Sequence, residues 1–147
     1  MTDSIRQQII DKIDARFKTI TTANGYKTNL GSHVFDWLDR ELADSELDAL
    51  AYRDVVNEIE PGTIHEYTNQ LRLEIEVRTK NATTTAKQVR KMIEDVYKAI
   101  GTDDRWSGLA TDTQPVSEII DIQQYDKIMG SAIIAVVIEY DTDKWSY

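Results

Sequence analysis

The sequence lacks cysteine altogether and has only two histidines, His33 and His65, which stand far apart. Without thiols it forms no disulfide and no thiolate metal site, and two isolated histidines are too few to hold zinc. No apolar run approaches the roughly 18 residues of a membrane-spanning helix, and the N-terminal residues show no signal-peptide pattern. We therefore expect a soluble cytoplasmic protein with no metal, no other cofactor and no membrane partner.

Catalytic motifs are missing as well. The six glycines are isolated, so the chain has no Gly-rich loop that could hold a phosphate. Ser107 has no adjacent base to activate it as a nucleophile. Glu74 and Glu76 lie on one face of a predicted strand, where charged side chains are expected without any catalytic role. The sequence therefore predicts a protein that is not an enzyme.

Acidic residues are in excess: 26 Asp and Glu against 17 Lys and Arg give a net charge of −9. They are spread along the chain, and no cluster of basic residues offers a phosphate-binding surface. Nucleic acid is therefore an unfavourable direct partner. With 147 residues the chain is long enough for one domain with a real hydrophobic core, predicted over residues 1–147.

Two stretches have the periodicity of amphipathic helices. Apolar residues recur every three or four positions over Ile5–Ile20, which predicts a helix from Ser4, as its cap, to Thr19 or Ile20. A second apolar stripe of the same period predicts a helix over Ala86–Ile100, capped by one of the threonines before it.

Four stretches are typical of β-strands and fall into two hairpins. They are Tyr52–Glu60, Tyr67–Val77, Val116–Tyr125 and Ser131–Tyr140. Pro and Gly within Glu60–Thr63 predict a type II turn in the first hairpin, and Asp126-Lys127 turns the second. The element order predicts an α+β fold: a four-stranded, largely antiparallel or mixed sheet of two hairpins joined by a helix, with the two main helices packed on one face.

The region before the first predicted strand has less regular patterning. Tyr26–Trp37 is compatible with a short extended piece followed by a loop. The acidic stretch Asp36–Leu50 is compatible with one or two helical turns or with an irregular loop. We expect this stretch to be a solvated, partly ordered segment, with a defined site as the alternative.

Two features predict apolar surfaces that must be buried, either within the subunit or against another subunit. The strand Ser131–Tyr140 is apolar on both faces, as in a central strand or in one whose second face meets another subunit. The loop Asp104–Ala110 carries Trp and Leu beside Gly; it either folds back over the core or contacts another subunit, where Trp and Arg often anchor interfaces. The subunit-contact interpretation gives five candidate interface residues: Arg105, Trp106, Leu109, Ile133 and Val137.

Several stretches, in this order and spacing, carry a resemblance to a known family. They are the N-terminal amphipathic helix, G-Y-K-T-N-L-G at Gly25–Gly31, Trp37, the helix ending in Ala99-Ile100, D-D-R-W-S-G-L-A at Asp103–Ala110, the region of Glu118 and Gln124, and I-E-Y-D-T at Ile138–Thr142. The chain resembles the tail terminator (tail completion, minor tail protein U-like) family of long-tailed bacteriophages over most of its length. The acidic segment Asp36–Leu50 departs most from the family's pattern.

The resemblance implies a small protein without enzymatic activity that forms a homo-hexameric ring on the head-proximal end of a finished tail tube. Such a ring stops tube polymerisation and presents a surface for joining the DNA-filled head. The implied partners are further copies of the chain, the tail tube protein and a head-completion or connector protein. The implied location is the virion tail, and the host cytoplasm during assembly. A small acidic adaptor, or another head–tail connector component, is the alternative.

The charge adds an expectation about the pore of such a ring. Six copies would carry a summed charge of 6 × −9 = −54. DNA must pass without being bound, and contacts from Lys or Arg to phosphates would hold it there. We therefore expect a net acidic lumen, lined by Glu74 and Glu76 or by the Asp36–Asp48 segment, with Asp36 and Asp39 as candidates. The alternative is that these acids only keep the subunit soluble.

Overall fold

The computed structural model describes residues 2–80, 83–124 and 128–147, and within them it has two α-helices and five β-strands. In chain order these are α1 (Ile5–Phe17), β1 (Val34–Asp36), β2 (Ala49–Pro61), β3 (Glu66–Lys80), α2 (Thr85–Gly101), β4 (Asp112–Gln124) and β5 (Ile128–Asp143). The strands form one mixed sheet in the order β1-β2-β3-β5-β4. Strand β1 runs parallel to β2, and the other neighbouring pairs are antiparallel.

Both predicted helices are present, and their apolar stripes face the core. Ser4 caps α1, because its Oγ accepts a hydrogen bond from the Gln7 amide at 3.1 Å. The buried residues of the two helices include Ile9, Ile13, Phe17, Val89, Ile93 and Val96. They belong to a single cluster with the inward side chains of β2, β3 and β5, so the prediction that both helices pack on one face is confirmed.

The sheet has five strands, so the prediction of four is wrong in this detail. The additional strand, β1, pairs three residues with Leu50–Tyr52 of β2. A strand this short shows no measurable alternation, and residues 37–48 separate it from its parallel partner β2. Strand β2 also begins at Ala49, inside the acidic stretch that was expected to be a helical turn or loop.

The first hairpin turns later than predicted. Pro61 is still part of β2, and the Glu66 amide donates to the Thr63 carbonyl at 3.1 Å, which places the turn over Thr63–Glu66 rather than Glu60–Thr63. The predicted turn at Asp126-Lys127 and the strand end at Tyr125 lie outside the described residues.

Strand β5 lies between β3 and β4, which confirms that it is an inner strand.

Candidate assembly surface

The two helices leave the opposite face of the sheet uncovered, and we call it the open face. On β5, Ile134 and Val136 are buried under the helices, whereas Ile133 and Val137 are half-exposed on the open face. Ile119 of β4 pairs with Ile133 and is 64% exposed. Apolar side chains therefore line the β4–β5 side of the open face, as expected for a strand that needs cover on both faces.

Glu74 and Glu76 lie on the same open face, but each is paired with arginine. Glu74 Oε1 is 3.1 Å from an Arg53 nitrogen, and its other oxygen is 3.6 Å from Arg72. Glu76 forms an ion pair with Arg78. Three arginines outnumber the two glutamates here, so this part of the strand face is not net acidic.

An acidic region lies next to these Glu–Arg pairs, at the end of the open face near the β2–β3 turn. Strand register places seven carboxylates there in adjacent rows; this group, called the acidic end below, consists of Glu58, Glu60, Glu66, Asp112, Glu139, Asp141 and Asp143. None of them forms an ion pair with another described residue. Sequence reasoning missed this group because its members come from four strands and meet only through the register.

Trp106 does not lie on a surface, so the expectation that it anchors a subunit contact is wrong. Its side chain is fully buried, its Nε1 donates to Thr113 Oγ1 at 2.9 Å, and the Arg16 guanidinium lies 4.3 Å from the ring centroid. The loop folds back over the core, which was the other interpretation of this stretch. The Asp103 carboxylate fixes the loop by accepting from the Arg105 and Ser107 amides, and these bonds lower the pKa of Asp103.

The other two candidates from this loop differ from each other. Arg105 is exposed, whereas Leu109 is half-buried and packs against the core. Of the five candidate interface residues, Trp106 has no exposed surface, whereas Arg105 is exposed and Leu109, Ile133 and Val137 are partly exposed.

Asp36 and Asp39 lie away from the open-face acids, on the β1 side of the sheet. Burial raises the pKa of Asp36, and the nearby carboxylates of Asp54, Asp14 and Asp11 raise it further. Asp39 is exposed in the loop that follows β1. The carboxylates around Asp36 and those of the acidic end thus lie on different parts of the described surface.

Over residues 2–80, 83–124 and 128–147, no group of three or more His, Cys, Asp or Glu side chains is placed to hold a metal ion. No helix in this part of the chain is long and apolar enough to cross a membrane. One concavity of about 470 Å³ lies on the open face itself and is lined by Val56, Glu58, Gln70, Arg72 and Val137.

A scan of the sequence against protein-family models and a search of curated proteins both give no match.

Proposed function

We propose that the protein is a structural subunit without catalytic activity that assembles into a homo-hexameric ring at the head-proximal end of a phage tail tube. There it ends tube polymerisation and provides the surface to which the head is joined. Its partners are further copies of itself, the tail tube protein and a head-completion or connector protein. It acts in the virion tail after assembly in the host cytoplasm.

The observation that carries this proposal is the open face of the sheet. A monomeric domain rarely leaves an apolar strip such as Ile119, Ile133 and Val137 uncovered beside a strand that is buried on its other face. A subunit of a permanent assembly covers such a strip with its neighbours. The sequence resemblance to tail terminators then specifies which kind of assembly this is.

The lumen of the ring is proposed to be net acidic. Glu74 and Glu76 are poor candidates for this lining, because Arg53, Arg72 and Arg78 pair with them. The carboxylates of the acidic end form no ion pair with another described residue and lie in adjacent rows of one face, which is the arrangement that repels a DNA backbone over about 8–10 Å at physiological salt. DNA then passes without being bound.

Tube length tests the proposed function. The tail tube protein from the same genome is expressed with and without this chain, and the tubes are measured by electron microscopy. We expect tubes of indefinite length without the chain, and short tubes with a ring at one end when it is present. Equal length distributions in both samples would refute the function.

Charge reversal tests the lumen separately. Glu60→Lys with Asp141→Lys should leave tail length normal but slow the delivery of DNA into cells. The matched control, Asp3→Lys with Asp104→Lys, makes the same change in net charge at two exposed positions outside the acidic end that also form no ion pair with another described residue. Equal delivery by both variants would leave only a solubility role for these carboxylates.

A further inference from the structure

An exposed apolar cluster lies at the end of the sheet that holds the β2–β3 turn. We call it the aromatic tip; it consists of Ile59, Ile64, Tyr67, Trp145 and Tyr147. Of these, Ile64, Trp145 and Tyr147 are 83%, 88% and 64% exposed. A soluble monomer rarely leaves several large apolar side chains exposed side by side, so the tip is a candidate surface for a partner.

Strand register and aromatic contacts bring these side chains together. Ile59 lies opposite the buried Asn69, and Tyr67 is two residues from Asn69 on the same face of β3, so Ile59 and Tyr67 are diagonal neighbours. The Trp145 ring meets the Tyr67 ring edge-on, with 6.0 Å between the centroids. This is the face that carries the helices, whereas the carboxylates of the acidic end lie on the open face.

The residues that follow β5 are held in a defined position at the tip. The Lys144 amide donates to the His65 carbonyl at 2.9 Å. The Tyr147 hydroxyl accepts a hydrogen bond from the Arg6 guanidinium at 2.7 Å, and this guanidinium lies 5.4 Å from the Tyr147 ring centroid. Trp145 lies between these two attachments and is nevertheless almost fully exposed. A side chain presented in this way is preorganised, which lowers the entropy cost of binding.

The charge around the aromatic tip determines which partner fits it. Residues 58–67 and 141–147 contain five carboxylates and one lysine, so their net charge is 1 − 5 = −4 with His65 neutral. None of the five carboxylates forms an ion pair with another described residue. Arg6, which reaches the tip from α1, is already paired with Asp54 at 2.7 Å. A surface that covers the tip is therefore complementary to it when its rim carries Lys or Arg.

The same charge disfavours three other kinds of partner. Nucleic acid and anionic lipid surfaces are negative and are repelled. A second copy that met the first tip to tip would place a charge of −4 against another −4. Trp and Tyr are common anchors of protein–protein interfaces, so the composition of the tip fits a cationic protein surface best.

We propose that the aromatic tip is the docking surface for a different protein, whose contact surface has an apolar centre and a rim of Lys and Arg. The inference rests on the proposed function, in which this protein is one of the neighbours of the ring in the virion. Trp145 enters the apolar centre, and Glu66 and Asp143, which are opposite each other in the register, meet the basic rim. The other carboxylates of this end remain towards the lumen.

Photo-cross-linking in assembled virions tests the docking directly. A benzophenone amino acid takes the place of Trp145, where an aromatic side chain already faces solvent. Purified virions are irradiated, and adducts of this chain are mapped by mass spectrometry. We expect an adduct with one other virion protein, in a peptide that contains Lys or Arg beside apolar residues.

The matched control carries the same amino acid in place of Tyr97, an exposed aromatic residue on α2, and should not give this adduct. The same adduct from both positions would count against the tip as the docking surface. An adduct of position 145 with a second copy of this chain or with DNA would overturn the inference. A chain that is present in virions without any adduct at position 145 would do so too, while the proposed function stands. Absence of the chain from virions would refute the proposed function itself.

Co-sedimentation gives a second readout, with purified tail tubes and tailless heads from the same phage as the two probes. We expect the native chain to sediment with one of them, and less so as the salt rises, because the contact is electrostatic in part. Trp145→Ala, and separately Glu66→Lys with Asp143→Lys, should weaken this binding by at least about tenfold without a change in the melting temperature.

Asp3→Lys with Asp104→Lys is the charge-matched control and should bind like the native chain, because both positions are exposed and lie outside the tip. Equal binding by the native chain and by both tip variants would overturn the inference.

Discussion

Trp106 is the residue for which the sequence and the structure lead to opposite experimental expectations. As an interface anchor, its removal would weaken assembly and spare the fold. The side chain is instead fully buried, with the Arg16 guanidinium 4.3 Å from its ring centroid and Thr113 Oγ1 2.9 Å from its Nε1. Trp106→Ala should therefore destabilise the subunit itself.

The size of the effect follows from what is lost. Truncation of a buried aromatic side chain to alanine costs about 3–5 kcal/mol, including the cavity that remains. In a domain of this length each kcal/mol lowers the melting temperature by roughly 2–4 °C, so we expect a decrease of about 6–20 °C. Trp106 also has a φ of +53°. Glycine has no penalty there, so Trp106→Gly should be at least as stable as Trp106→Ala, the reverse of the usual order.

Thermal and urea denaturation followed by circular dichroism measure these differences. Trp145→Ala is the control, because this tryptophan is 88% exposed and its loss should change the unfolding free energy by no more than about 0.5 kcal/mol. If Trp106→Ala melted like the native chain but no longer assembled, the burial argument would be wrong and the interface interpretation right.

Three further predictions concern the fold. Ile93→Asp buries an unpaired carboxylate between α2 and the sheet, and should lower the unfolding free energy by more than about 3 kcal/mol in urea titrations; a soluble variant with native stability would refute the packing. Gly31→Ala should lower it by about 1–3 kcal/mol, because a Cβ there would lie 2.5 Å from the Lys18 carbonyl oxygen; an unchanged urea midpoint would contradict this contact. Arg40 and a backbone amide lower the pKa of Glu46 from 4.5 to about 2. The contacts of the ionised Glu46 carboxylate should thus hold the 40–46 segment fully above pH 4.5. They should be lost as the pH falls through about 2. NMR titration of that segment measures it, and Glu46→Gln should remove the dependence.

The regular elements could be predicted because their signals are local. The apolar stripe of α1 and the alternation along β3 each extend over more than ten residues, and both match the structure. Strand β1 could not be found in this way, because three residues carry no period and the partner strand is separated from it by the acidic loop.

The burial of Trp106 and the existence of the acidic end could be recognised only from the tertiary structure, for different reasons. A buried tryptophan and an interface tryptophan have the same sequence signature, because both replace water by apolar contacts. What separates them here is Arg16, a residue ninety positions earlier whose guanidinium stacks on the ring. The acidic end exists only because the register aligns Glu60 with Thr68 and Thr68 with Asp141. The second apolar face of β5 could be predicted from the sequence. Ile133 and Val137 stand at positions where a strand covered on one face only would carry polar residues.

This chain is proposed to close into a ring at the end of a tail tube. Cryo-electron microscopy of tube ends from a co-expression sample tests it most directly. The expected result is a closed ring of copies of this chain on one end of each tube. Bare tube ends, or tube ends capped without this chain, would contradict the proposed function.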